Sequence, residues 1–373
     1  MSTINISTVS NQNDLMRFIK FQWKIYKNDS HWVPPLIMDR KKILNKEKNP
    51  FYKHAEMELF LAEKDGELVG RIAAIKNDLH NKYHDDNAGF FGFFECINDQ
   101  EVANALFDKA KEWLKAKGFK IMRGPANPSS NDEWAMLLEG FDDEPRLLMT
   151  YNPKYYLDLC DNYGFKKAKD LYAYKLENEK VVSSEKVKRV AELARKRYKL
   201  KISQLDMKNF DAELEKVKYV YNKAWAPNWG FVPLTDDEIT AMAEDLKQLV
   251  EPSLVLFGEI DNQLVGFALV MLDYNQVFKY MNGRLFPFGF LKLFTHKKKI
   301  TWSRIITLGI IPDFQKKGLD SVFYWEIVNR AHALGINLGE ASWILEDNDM
   351  MNRGAKALNG ELYKKYRVYD LEI

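Results

Sequence analysis

The sequence predicts an α/β protein of mixed sheets, an α+β arrangement built from two similar halves, on three observations. Strand-like and helix-like periodicities alternate along all 373 residues, and at roughly 150 residues per domain that length suggests two domains. Two turn-and-strand phrases match, Gly66-Glu67-Leu68-Val69-Gly70 and Asn262-Gln263-Leu264-Val265-Gly266. A charged stretch, 177–188, stands between the copies, so the expected domains are 1–180 and 181–373. A repeat of this size indicates duplicated domains, since solenoid periods are only ~20–50 residues.

In the first half, 3–10 reads as a short strand. Residues 14–28 read as a helix, with Leu15, Phe18, Ile19, Trp23 and Tyr26 at helical spacing before the Pro34-Pro35 breaker. Residues 58–63 and 68–75 form a hairpin about Asp65-Gly66. An aromatic strand at 89–97 leads into an amphipathic helix at 100–117, stopped by Gly118. A strand at 119–122, a helix at 152–163 ended by Gly164, and a strand at 168–176 complete the half.

A solvated linker helix with a basic face is expected at 184–197. The order then repeats: strand 200–205, helices 210–224 and 236–249, and a hairpin of 254–260 with 264–272 about Asp261-Asn262. Strand 305–311, helix 319–334, strand 338–345, helix 348–358 and strand 366–372 follow. The halves differ in their insertions, which lie between Arg123 and Thr150 and between Asp273 and Thr301.

Composition excludes several classes. The net charge is +2, from 55 basic and 53 acidic residues, which gives no excess for nucleic-acid binding. No run reaches the ~18 apolar residues of a membrane span. The first residues lack the pattern of a secretory leader, and two cysteines make no disulfide framework, so a cytoplasmic protein is expected. Cys96 and Cys160 read as small buried hydrophobes. His80 and His84, beside Asp85 and Asp86, lack a third ligand at metal spacing, so no metal is expected there.

The most informative stretch is Thr307-Leu308-Gly309-Ile310-Ile311-Pro312-Asp313-Phe314-Gln315-Lys316-Lys317-Gly318-Leu319-Asp320. A strand runs into a proline, a basic loop with glycine, and a helix. Such a loop converges backbone N–H groups at a helix N-terminus, where a pyrophosphate can bind. The stretch resembles the signature of the GCN5-related N-acetyltransferases (GNAT), in which Gln or Arg, two residues, Gly, one residue, and Gly or Ala follow such a strand. The resemblance implies acetyl-CoA or another acyl-CoA as cofactor. Ile310 and Ile311 would hold the pantetheine arm, and the amides around Gln315, Lys316, Lys317 and Gly318 the pyrophosphate. Asp320 stands where the family has Gly or Ala; its carboxylate can cap the helix or repel the pyrophosphate.

Over nearly its whole length the chain resembles bacterial tandem GNAT-like proteins. Phrases that carry this are Gly70-Arg71-Ile72-Ala73-Ala74, Arg123-Gly124-Pro125, Asn131-Asp132-Glu133 and Ser342-Trp343-Ile344-Leu345-Glu346. The first half replaces the phosphate loop with Asn98-Asp99-Gln100-Glu101, which implies a degenerate N-terminal domain and an active-type C-terminal one.

By the same resemblance a tyrosine acid is expected in the helix after the fifth strand, but that position is Ala355, so Tyr363 or Tyr366 would have to substitute. Glu346 and Glu340 are the candidate bases, with Ser342 and Trp343 between them; a carboxylate near a Trp can have a raised pKa. Glu346 can equally cap the next helix. The loop 225–233 carries Trp225, Trp229 and Phe231, either an acceptor-pocket wall or a packing plug. The insertion 281–299 is apolar and then basic; it is expected to pack against the other half, with an apolar substrate or a membrane surface as alternatives. In the first half, the loop Arg123 to Glu133, with Arg123 and Asn131 as candidate contacts, can bind a polar ligand or satisfy its own backbone.

Three functions are compatible with these residues. The first is an acyl-CoA-dependent N-acyltransferase acting on a small amine or amino-acid-like acceptor. The second is a non-catalytic tandem GNAT protein that binds a ligand or partner. The third is aminoacyl transfer from charged tRNA, as in Fem-type enzymes, which the near-neutral charge opposes.

Overall fold

The structure is a computed structural model that describes residues 3–226 and 228–373; Pro227, in the aromatic loop at 225–233, and Met1 and Ser2 lie outside the described residues. The first half of the chain runs β1 (Ile4–Thr8), β2 (Ala55–Lys64), β3 (Glu67–Asn77), β4 (Ala88–Cys96), β5 (Ile121–Gly124), β6 (Ala126–Asn127), β7 (Glu133–Trp134), β8 (Met136–Glu139) and β9 (Lys166–Glu177). The second runs β10 (Lys201–Gln204), β11 (Val255–Ile260), β12 (Gln263–Leu272), β13 (Trp302–Ile310), β14 (Leu338–Leu345) and β15 (Glu361–Glu372).

Two compact units form. Relative to a division at 180, unit 1 runs only through Asp170 and takes in Val277–Leu293 and Lys364–Ile373; unit 2 is Leu171–Gln276 with Phe294–Tyr363. Strand pairing is the cause. In unit 1, β15 lies antiparallel to β5, with Tyr369 opposite Gly124 and Glu372 opposite Ile121. In unit 2, β9 lies antiparallel to β14, with Leu171 opposite Leu345 and Glu177 opposite Leu338.

Unit 1 has strand order β1-β2-β3-β4-β5-β15, with β8 also on β15. The helix Gln100–Ala116 buries Val102, Ala103, Leu106, Phe107, Ala110 and Leu114, one stripe at helical spacing. That stripe meets Phe91, Phe94 and Phe165; the Phe94 and Phe107 rings stack at 4.6 Å. Burying each such side chain contributes about 1.5–3 kcal/mol. Cys96 and Cys160 are free thiols buried in this core.

Unit 2 has strand order β10-β11-β12-β13-β14-β9. The helix Phe210–Ala224 supplies Val220 and Ala224 to a core with Phe257 and Phe267. The helix Asp236–Leu246 starts at a reciprocal cap between Thr235 and Glu238. The helix Leu319–Ala333 connects parallel neighbours β13 and β14. In the insertion, Phe286, Phe288 and Phe294 are exposed, so protein does not cover that part of it.

Candidate functional site

A backbone opening in unit 2 frames the site. β13 and β14 pair in parallel only from Trp302 opposite Leu338 to Ile305 opposite Ala341. Beyond Ile305, β13 keeps β12 on one side, while β14, paired with β9 from Leu338 to Leu345, has a register break between Ala341 and Ile344. Residues 306–310 therefore have an edge without a ladder towards β14. Successive N–H groups in a strand alternate sides. Ile311 donates its N–H to the Val265 carbonyl on β12, so the amides of Leu308 and Ile310 face the open edge. The Ile310 carbonyl on that edge accepts from Gln315 Nε2 at 2.9 Å. Thr307 Oγ1 is buried with no hydrogen-bond partner.

The loop that follows stands at the head of the opening. Lys316 and Gly318 both have positive φ, 58° and 73°, the alternation that gathers backbone N–H groups into a concave nest. Gly318 is the cap residue of the helix Leu319–Ala333 and provides no side-chain cap, which leaves the first amides of that helix to other acceptors. The Asp320 carboxylate stands in the first turn of that helix, where the Ser321 amide donates to the Gly318 carbonyl at 3.2 Å, and burial raises the Asp320 pKa above the ordinary aspartate value. Lys317 Nζ bonds the Asp313 carbonyl, which fixes the loop from its exposed side.

Below the opening lies a buried polar chain. Glu340 is 0% exposed. Its Oε1 accepts from Ser342 Oγ at 2.6 Å, and its Oε2 accepts from the Tyr363 hydroxyl. Arg304 Nε donates to Ser342 Oγ at 2.9 Å and stands 3.4 Å from Glu340 Oε1. The Arg304 guanidinium also lies over the Trp343 ring, and Tyr363 stacks on Trp302. Glu340 and Tyr363, both candidates from the sequence, are thus in direct contact. Glu346 stands apart, half-buried just past the end of β14, where its carbonyl accepts from Asn352 at 3.4 Å. Arg304 was not recognised from sequence; the available signal is a lone arginine within an apolar strand.

Ala355 is buried at 2% exposure in the helix Asp349–Ala357 and carries no hydroxyl. Tyr324, overlooked in the sequence, packs against Gly354 of that helix and donates its hydroxyl to Met351 Sδ at 3.5 Å. Burial pushes its pKa up, so it keeps its proton. Trp225 covers Gly309 of β13 so closely that a Cβ there would collide with its ring, and it stacks on Tyr221 at 5.0 Å. Phe231 packs on Tyr221 from the other end of the loop, and Trp229 is half-buried.

Unit 1 has the same strand parting, filled by its own chain. β4 and β5 pair only from Ala88 opposite Ile121 to Phe90 opposite Arg123. Beyond this, β6 lies against β4: a Cβ on Gly92 would collide with the Ala126 carbonyl, and Phe93 N–H donates to Asn127 Oδ1 at 2.5 Å. Asp99 caps the next helix through the amides of Glu101 and Val102. Arg123 is held in a two-point ion pair by Asp370, at 2.8 Å on each nitrogen, and by Asp86 at 2.5 Å. Asn131 donates its backbone N–H to Ser129 Oγ. His80, buried, bonds Asp86 at 3.1 Å, and burial lowers its pKa. Among the described residues no group of three or more His, Cys, Asp or Glu side chains converges as a metal site.

No protein-family model matches the chain. Among curated proteins it is 35% identical to a bacterial ceramide synthase of Caulobacter vibrioides, over 98% of this chain and 97% of that one. It is 32% identical to protein YghO of Escherichia coli, over 99% and 95%. Among solved structures, a tandem GNAT protein of the clavulanic acid biosynthesis pathway superposes with a TM-score of 0.59, 9% identity, and coverage of 99% and 98%. A probable N-acyltransferase of Enterococcus faecalis gives 0.54, at 8% identity, over 100% of this chain and 73% of that one. With an open strand edge in one unit and a filled one in the other, the chain has the tandem GNAT fold and belongs to the family of the bacterial ceramide synthase and YghO.

Proposed function

We propose that unit 2 transfers a fatty acyl group from acyl-coenzyme A to the amino group of a long-chain amino alcohol. The observation that carries the reading is the open edge of β13 at 306–310, followed in the chain by the positive-φ loop at 316–318 before a helix N-terminus. The acceptor class comes from the ceramide synthase relative, because a ceramide is the amide of a fatty acid and such an amine. This narrows the small amine or amino-acid-like acceptor expected from sequence.

In this reading the pyrophosphate lies on the amides around Lys316, Lys317 and Gly318, and the pantetheine along the open edge. The Leu308 N–H would polarise the thioester carbonyl. The amine nitrogen attacks that carbon, the C–N bond forms, and the C–S bond breaks. The amine proton passes to Glu346, directly or through one water, and the thiolate takes a proton from Tyr363 or Tyr324. Glu340, held by Ser342 and Arg304, positions Tyr363.

The test is thiol release from palmitoyl-CoA with sphinganine, beside acetyl-CoA with the same amine, and mass spectrometry of the amide. Amide formation with Glu346→Gln as active as the wild type would remove Glu346 alone. The second reading, a ligand-binding protein without transferase activity, is favoured by the acidic Asp320 in the first turn of the helix Leu319–Ala333 and by the missing hydroxyl at Ala355. Calorimetry with coenzyme A separates the two, since the first requires binding.

A further inference from the structure

The connection between β12 and β13 holds a feature that acyl transfer does not use. From Tyr274 to Thr301 there is no acidic residue, against six basic ones, Lys279, Arg284, Lys292, Lys297, Lys298 and Lys299, in a chain whose total charge is only +2. Lys279 is neutralised by Glu144 at 2.9 Å, but Lys297, Lys298 and Lys299 stand exposed in a short turn. That turn directly follows the helix Gly289–His296. In the residues just before that helix, and within it, Phe286, Phe288 and Phe294 are 67%, 72% and 75% exposed. Three solvated phenyl rings are unfavourable in water, and the sequence Leu285-Phe286-Pro287-Phe288-Gly289-Phe290-Leu291 has no polar side chain.

We propose that this segment docks the protein on an anionic lipid surface, with the phenylalanines in the acyl boundary and the lysines on the headgroups. The chemistry selects this partner over others. A bilayer surface requires only apolar area and a complementary charge, both present here. A protein partner needs placed hydrogen-bonding groups, which the apolar run lacks. A second copy of the chain, in two-fold contact through this segment, would bring a second run of lysines and no carboxylate to meet them. The helix has eight residues, about 12 Å of rise against a hydrocarbon core of about 30 Å, so the segment lies in the interface and does not cross it.

The test uses the full chain, with no coenzyme A or acceptor, so its result is independent of the acyl-transfer reading. Sedimentation is measured with vesicles of phosphatidylcholine alone and of phosphatidylcholine with phosphatidylglycerol. The expected result is binding to the anionic vesicles that weakens with salt, and little to the neutral ones. Each lysine is worth on the order of fivefold in partitioning. Lys297→Gln, Lys298→Gln and Lys299→Gln together should therefore lower binding on the order of a hundredfold, and Phe286→Ser, Phe288→Ser and Phe294→Ser together at least tenfold. All six positions are exposed, and unchanged thermal melts would establish that the variants fold. Equal weak binding of the wild type to both vesicles overturns the proposal, as does wild-type binding by either triple variant. It is also overturned if the wild type ignores vesicles but is a dimer that the phenylalanine variant converts to monomer, which would make the face a contact between copies.

Discussion

At the scale of single residues, the site depends on backbone conformation as much as on side chains. Gly318 has φ of 73°, and a Cβ there would meet only Ala194 at 3.9 Å, so space is available and conformation is the constraint. Gly318→Val should weaken coenzyme A binding, with a strain of about 1–2 kcal/mol falling on the loop; calorimetry showing unchanged affinity would exclude the nest. Asp320 acts in the opposite sense. Its pKa is raised by burial, so falling pH protonates it sooner than an ordinary aspartate and removes its charge from the helix N-terminus. Coenzyme A should bind more tightly as pH falls through that raised pKa. Asp320→Ala should tighten binding at neutral pH by about 1 kcal/mol and flatten this trend. Glu340 differs from both. Glu340→Gln leaves Arg304 buried beside a neutral amide, an expected loss of about 3 kcal/mol in denaturant unfolding. Lost activity in that variant would therefore say little about proton transfer, and Glu346→Gln is the cleaner probe.

At the scale of elements, the two strand partings differ in one short segment. β6 places Asn127 on the Phe93 amide and the Ala126 carbonyl against Gly92. Gly92→Ala has no room to be accommodated by a side chain, because the opposing atom is backbone; unit 1 should lose its packing there, visible as an early step in thermal unfolding. Asn127→Ala, which strands one buried donor, should cost about 1–3 kcal/mol. This plug was not legible in the sequence. β6 and β7 span two residues each, too short for any periodicity, and they pair locally while filling a gap set by strands far away in the chain. The strand–loop–helix order at 302–333 was legible because it is local: the strand, proline, glycine and helix are consecutive. Ala355 was equally plain, since an absent hydroxyl is read directly from the residue. The Arg304–Ser342–Glu340–Tyr363 chain was half legible: alternation along β14 put Glu340 and Ser342 on one face, but β13 brought the arginine from 36 residues away.

At the scale of the whole molecule, the closing strands decide what can fold alone. Sequence periodicity placed a last strand at the end of each half, and both are present as β9 and β15. Periodicity contains no information on which partner a strand takes, and the pairing assigns Lys364–Ile373 to unit 1. There, Tyr369 is buried in the unit 1 core, and Arg367 makes two bonds to Asp170, at 2.8 and 3.0 Å. Asp370 holds the buried Arg123, which also pairs with Asp86. Removing the last ten residues should therefore unfold unit 1 first, although the cut is almost 200 residues beyond the expected boundary. The Arg123 ion pair and the cover over Phe165 would both be lost, several kcal/mol together and a large part of a domain's usual margin. Limited proteolysis with mass spectrometry reads this directly: new cleavage should appear within 1–170 before it appears within 181–360. A fragment ending at 180 should show the same weakness, because it has no strand to place beside β5. If such a fragment instead melts cooperatively at the temperature of the intact protein, β15 is dispensable to unit 1, and the boundary at 180 is a true folding boundary.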